Sequence, residues 1–187
     1  MGIFKKTVDS KNYKESVEPI IIYKYGIPEY IDAANKIYNR EYDSAINDLM
    51  NLLKKTSPLD FENLSMIHIN LMQAYFKSRN TNPDYFDSST YHAKEALKNG
   101  HNTGLAQFRL IVNLEKQNRL KQAIEVCEIV TNEDYHFSIY GYKQKVEFVE
   151  RMNKLKLILE KKGDNQKEKL FSEEETNMII ENSNKKK

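Results

Sequence analysis

The sequence predicts an all-α protein in which helices pack in successive pairs, with about seven helices and a short tail helix. Three observations lead there. Between Pro28 and Lys162, apolar residues recur at steps of three and four, the spacing of one helix face. Only 6 Gly and 4 Pro among 187 residues leave few tight turns, which argues against a many-stranded β fold. Two stretches also nearly repeat: NREYDSAINDLMNLL (39–53) and NRLKQAIEVCEIVTN (118–132). Ala45-Ile46 of the first corresponds to Ala123-Ile124 of the second. Tyr42 and Leu120 stand three positions before the Ala, and Leu49 and Cys127 four after it.

Taken in order, residues 1–18 are polar and aperiodic and read as a loose arm. The run PIIIYKYGIP (19–28) is apolar and is expected to pack over the first helix. That helix starts near Pro28, a favoured first-turn residue, with Ile31, Ala34 and Tyr38 on one stripe. Ala45, Ile46, Leu49, Leu52 and Leu53 make the second stripe. Ser57 or Asp60 caps a third helix carrying Leu64, Ile67, His68, Leu71, Ala74 and Tyr75, the cleanest amphipathic pattern in the chain.

SRNTNPDYFDSS (78–89) reads as a loop. A short fourth helix follows with Ala93, Ala96 and Leu97, stopped by Asn99-Gly100 as a left-handed cap. Leu105, Phe108, Ile111, Val112 and Leu114 mark the fifth helix, and Leu120, Ala123, Ile124, Cys127 and Val130 the sixth. A seventh is expected from about Ser138 to Lys162, with Tyr142, Val146, Val149, Met152, Leu155 and Leu159 inward. Residues 19–162 thus form one helical domain. Residues 163–187 form a polar tail in which Ser172 and Glu175 make a capping box before Met178, Ile179 and Ile180. That tail helix would dock on a partner or fold back into the chain's own groove.

The small residues of the second helices, Ala45, Ser89 and Ala123, are spaced by 44 and 34 residues. The marks of the first helices, Ile37, Leu71 and Leu114, are spaced by 34 and 43. One insertion of 9 or 10 residues between Leu71 and Ser89 explains both irregularities. A helix-turn-helix period of about 34 residues marks the tetratricopeptide repeat, and the chain resembles that family in degenerate form over residues 28–162. In the third unit, Leu110-Ile111 stand where the family has Leu-Gly, Leu114 where it has Tyr, and Ala123 at its characteristic Ala. Ala33-Ala34, Ile37, Tyr42 and Ala45 take these roles in the first unit, with Pro58 near the closing Pro. The chain departs from the pattern in having no Trp and none of the packing glycines.

The resemblance implies a superhelical stack, or α-solenoid, whose first helices line a concave groove for a peptide or partner segment. Carried over by register, the groove residues are Asn35, Tyr38 and Asn39 from the first helix. The third helix supplies Ser65, Ile69, Met72 and Gln73, and the fifth Phe108, Val112, Glu115 and Lys116. The apolar members could equally meet another helix of the same chain.

With 29 basic and 27 acidic side chains, net charge +2, the composition gives no electrostatic reason to expect nucleic acid or an acidic membrane. The longest apolar run, Ile20 to Tyr23, is far short of the ~20 residues of a membrane helix. A cytoplasmic protein without membrane contact is expected. Cys127 reads as core. His68, His92, His101 and His136 lack metal-ligand spacing, and His68 on an apolar stripe reads as a packed, hydrogen-bonded histidine. No phosphate loop, nucleophile elbow or paired-acid motif occurs, so the expectation is a non-catalytic scaffold without cofactor or metal. The alternative is a helical regulator that senses a small peptide or associates with nucleic acid. The sequence leaves the oligomeric state open.

Overall fold

The computed structural model describes residues 28–80, 82–138, 141, 143–162 and 169–185. The expected arm, most of the 19–28 run, and Tyr142 lie outside them. Among the described residues there are eight helices and no strand. They are α1 (Pro28–Tyr38), α2 (Tyr42–Lys55), α3 (Phe61–Ser78), α4 (Tyr85–Lys98), α5 (Leu105–Lys116), α6 (Leu120–Thr131), α7 (Lys145–Lys162) and α8 (Glu173–Asn184). Each helix from α1 to α6 packs against the next, and α8 returns to α4 and α6.

Short side chains stand where helices meet. Ala45, Ser89 and Ala123, the three register marks, are all fully buried. A side chain this small lets two helices approach to the ~8–10 Å of close packing. Ser89 also brings a hydroxyl into the core, which must find partners. It donates to the Met72 carbonyl at 3.0 Å and accepts from Asn113 Nδ2 at 3.1 Å, tying α4 to α3 and α5.

The turns repeat as well. Arg40 (φ 66°) and Asn118 (φ 57°), 78 positions apart, both take the left-handed conformation that ends a helix. Their hydrogen bonds match. Arg40 N donates to Ile37 O and Glu41 N to Lys36 O, while Asn118 N donates to Glu115 O and Arg119 N to Leu114 O. Gly100 (φ 79°) closes α4 in the same way, with His101 N donating to Ala96 O at 2.9 Å, as the Asn99-Gly100 pair led one to expect.

Several expectations need correction. In α1 the buried face is Tyr30, Ala33, Ala34 and Ile37, while Ile31 and Tyr38 are exposed. Asp60, not Ser57, caps α3, accepting from Asn63 N at 3.1 Å. The loop expected at 78–89 is narrowed to 79–84, since α3 runs to Ser78 and α4 starts at Tyr85. The inserted residues lengthen α3 to 18 residues, against 11 in α1 and 12 in α5. Helix α7 starts at Lys145 and turns Phe148 and Leu155 inward, leaving Val146 and Val149 exposed. The tail helix is seated on the body, with Leu170, Phe171 and Ile179 buried.

Left-handed backbone at a residue with a side chain costs roughly 1–2 kcal/mol, and glycine relieves it. Arg40→Gly is therefore expected to raise the stability of the chain by about 0.5–1 kcal/mol in urea unfolding. Gly104→Ala should lower it, because Gly104 has φ 84° and an added Cβ would stand 2.5 Å from the Lys143 carbonyl oxygen.

Candidate partner-binding face

The odd-numbered helices are joined to one another by side chains. Between α1 and α3, Asn70 Nδ2 donates to the Tyr30 hydroxyl, which reaches the Met66 carbonyl at 3.4 Å. Between α3 and α5, the Arg109 guanidinium lies 3.5 Å from the centre of the Phe76 ring, and Lys116 Nζ 5.6 Å from it. Arg79 covers the same ring at 3.9 Å. Between α5 and α7, Arg151 pairs with Glu115. One flank of α5 thus faces α3 through Arg109 and Lys116, and its other flank faces α7 through Phe108 and Glu115.

The structure divides the expected groove residues into three groups. Asn35, Tyr38 and Asn39 are exposed at the end of α1, Tyr38 by 71%. Ser65, Ile69, Met72 and Gln73 are buried, which corrects the reading of them as open groove positions. Residues Ser65 through Ala74 are buried without a break, so α3 is a central helix covered all round rather than an amphipathic one. Its polar face is inside too: Gln73 Oε1 and, from α5, Asn113 Oδ1 are buried without hydrogen-bond partners. Of the third group, Phe108, Val112 and Glu115 are half-buried and Lys116 is exposed.

Phe108 opens onto a depression of about 250 Å³ between α5 and α7, lined also by Lys143, Glu147, Phe148, Glu150, Arg151 and Lys154. This is smaller than the roughly 300–1,000 Å³ of pockets that enclose drug-sized ligands. It suits one side chain of a larger partner. Phe108 and Phe148 give it an apolar lining, and the five charged residues give it both signs of charge. Lys143 Nζ bonds Glu147 Oε1 at 2.6 Å and lies 5.2 Å from the Phe108 ring centre. Sequence reading found Phe108 and Glu115 but missed Arg109, Phe76 and the α7 residues. Arg109 is polar on a buried helix and carries no periodic signal, and the expected α7 stripe, right at Met152, Leu155 and Leu159, takes Val146 and Val149 in place of Phe148.

The Cys127 thiol and the His68 and His92 imidazoles are internal. Cys127 is fully buried, and burial pushes its thiol up to about 12, so it is not a thiolate at neutral pH. His68 and His92 face each other across α3 and α4, Nδ1 to Nδ1 at 2.8 Å, so one neutral ring donates to the other. Tyr75 stacks on His92 at 5.4 Å. No group of three or more potential metal ligands occurs among the described residues. No helix among them is long and apolar enough to cross a membrane.

Comparison with protein-family models, with curated proteins and with solved structures yields no match to this chain.

Burial lowers His68 to about 4 and His92 to about 3, with the His68 ring a second cause for the latter. An unfolded histidine titrates near 6.5, so over this range the unfolded chain takes up protons that the folded chain refuses. Their contribution to stability is complete above about pH 6.5 and is lost as pH falls toward about 4 and 3. In urea unfolding between pH 7 and pH 4, His92→Phe should flatten this slope relative to the native chain. An unchanged slope would place the protons elsewhere.

Proposed function

We propose that the chain is a non-catalytic, tetratricopeptide-like interaction module that binds a peptide or partner segment across its odd-numbered helices. The observation that carries this reading is the side-by-side linkage of α1, α3, α5 and α7. A different bridge joins each neighbour: Tyr30 to Asn70, Phe76 to Arg109, and Glu115 to Arg151. Two further features support a repeat of that type. Small residues recur at Ala45, Ser89 and Ala123, and the same left-handed turn recurs at Arg40 and Asn118.

The contact region under this reading is the α5–α7 depression together with the cationic group over Phe76. A partner side chain, apolar at its end, would enter beside Phe108. The partner's backbone carbonyls or a carboxylate would meet Lys116 and Lys154. A stacked guanidinium keeps its N–H donors in the plane of the stack, so Phe76 fixes the direction in which Arg109 donates.

The test is a peptide-display selection on the intact chain, followed by titration of the selected peptides against variants. Phe108→Asp and Lys154→Glu should each weaken binding at least tenfold, about 1.4 kcal/mol or more. Tyr91→Asp, at an exposed residue of α4, should leave it unchanged. Peptides that bind equally well to Phe108→Asp would move the binding region away from α5 and α7.

A further inference from the structure

Helix α8 and the residues before it sit on α4 and α6 through groups that read a short segment in detail. The Glu125 carboxylate of α6 accepts two successive backbone N–H groups, Leu170 at 2.8 Å and Phe171 at 3.0 Å. Lys94 of α4 donates to the Leu170 carbonyl at 2.7 Å, and its ammonium lies 4.9 Å from the centre of the Phe171 ring. One turn further along α4, Lys98 pairs with Glu175 at 2.6 Å. These groups together recognise Leu-Phe-Ser-x-x-Glu, residues 170–175. Phe171 supplies the buried anchor, the peptide groups on either side of Leu170 are held by opposite charges, and Glu175 is read by a cation.

The segment brings its own fold. Ser172 Oγ accepts from Glu175 N at 3.1 Å, and Glu175 Oε2 accepts from Ser172 N at 3.0 Å, so the start of α8 is capped without help from the body. At its far end the helix approaches closely because Gly100 has no side chain: an added Cβ there would stand 2.7 Å from the Asn182 carbonyl oxygen. Asn182 Nδ2 then donates to Lys98 O at 2.6 Å, and Asn102 Nδ2 to Ser183 O at 3.0 Å.

Leu170, Phe171 and Ile179 join the larger apolar core of the body, but α8 packs on α4 and α6 far more sparsely than successive body helices pack on one another. An element held in this way opens before the global transition. Once open, a chain displays two complementary things, the Glu125–Lys94–Lys98 dock and the Leu-Phe-Ser-x-x-Glu segment that fills it. A second copy in the same state supplies both in return, and two reciprocal exchanges close a two-fold pair. We propose that the α4–α6 dock takes residues 170–184 from a second copy of this chain, so that α8 is an exchangeable element linking two molecules. The dock lies on the even-numbered helices, apart from the odd-numbered face.

The experiment uses two full-length variants that are each half-competent. Phe171→Asp keeps the dock and spoils the segment; Glu125→Lys keeps the segment and reverses the clamp. Each alone should sediment as a monomer, and an equimolar mixture at about 100 µM should give a 1:1 heterodimer, as expected where the exchanged contacts equal the internal ones. A labelled peptide of residues 169–185 should bind Phe171→Asp at least tenfold more tightly than it binds the native chain, whose dock its own tail fills. Binding to the double variant with Glu125→Lys should fall at least tenfold again. Helical circular dichroism and thermal transitions confirm that the variants fold, and Phe171→Ala with Glu125→Gln repeats the mixture if either does not. A mixture that stays monomeric overturns the exchange, even where the peptide binds.

Discussion

Close approach of helices sets the terms for everything else in this chain. Where α2, α4 and α6 meet their neighbours, the side chains are Ala45, Ser89 and Ala123, none with more than one heavy atom beyond Cβ. Larger groups at these points would push the helices apart and open voids that interiors do not tolerate. Ser89 carries an added requirement because its hydroxyl is fully buried. The chain of bonds from Asn113 through Ser89 to the Met72 carbonyl satisfies it and fixes the relation of three helices at once. Without that approach α3 could not be covered on all sides.

The burial of α3 decides what the odd-numbered face can offer. A helix whose residues 65–74 are all inside contributes no open surface over that length, whatever its register in a repeat. Under the proposed function, contact with a partner falls to α5 and α7, where half-buried aromatic and charged residues surround a depression the size of one side chain. Arg109 belongs to this region although it is nearly buried, since its charge is spread over a planar group that stacks on Phe76. An ammonium in the same place would lose more hydration and gain a weaker stack.

The tail is held by a different balance of forces from the body. The body helices are joined by continuous apolar cores; the tail adds three anchors, Leu170, Phe171 and Ile179, to one of these cores and a set of charge-assisted hydrogen bonds around them. Burial lowers the proton affinity of Lys94, while its hydrogen bond to Lys98 holds the Glu175 carboxyl below the usual range. Such contacts are directional, so they select a particular segment more than they stabilise it. The two faces of the molecule therefore differ in kind, one shaped by packing and one by hydrogen-bond reading.

Helix existence, the α2, α4 and α6 cores, the capping box at Ser172 and the left-handed stop at Gly100 were legible in the sequence. Each depends on residues within one or two turns of one another, where spacing and local chemistry suffice. The 34-residue spacing was legible for the same reason, because it compares like positions along one chain. What tertiary structure alone decided was which face of each helix is covered. The inward rotation of Phe148 in α7, the burial of Gln73 and Ser65, and the seating of α8 on α4 and α6 all depend on neighbours remote in sequence. A period shows that a helix has an apolar stripe. It does not show how many other helices surround it, and α3, with partners on every side, is where that difference is greatest.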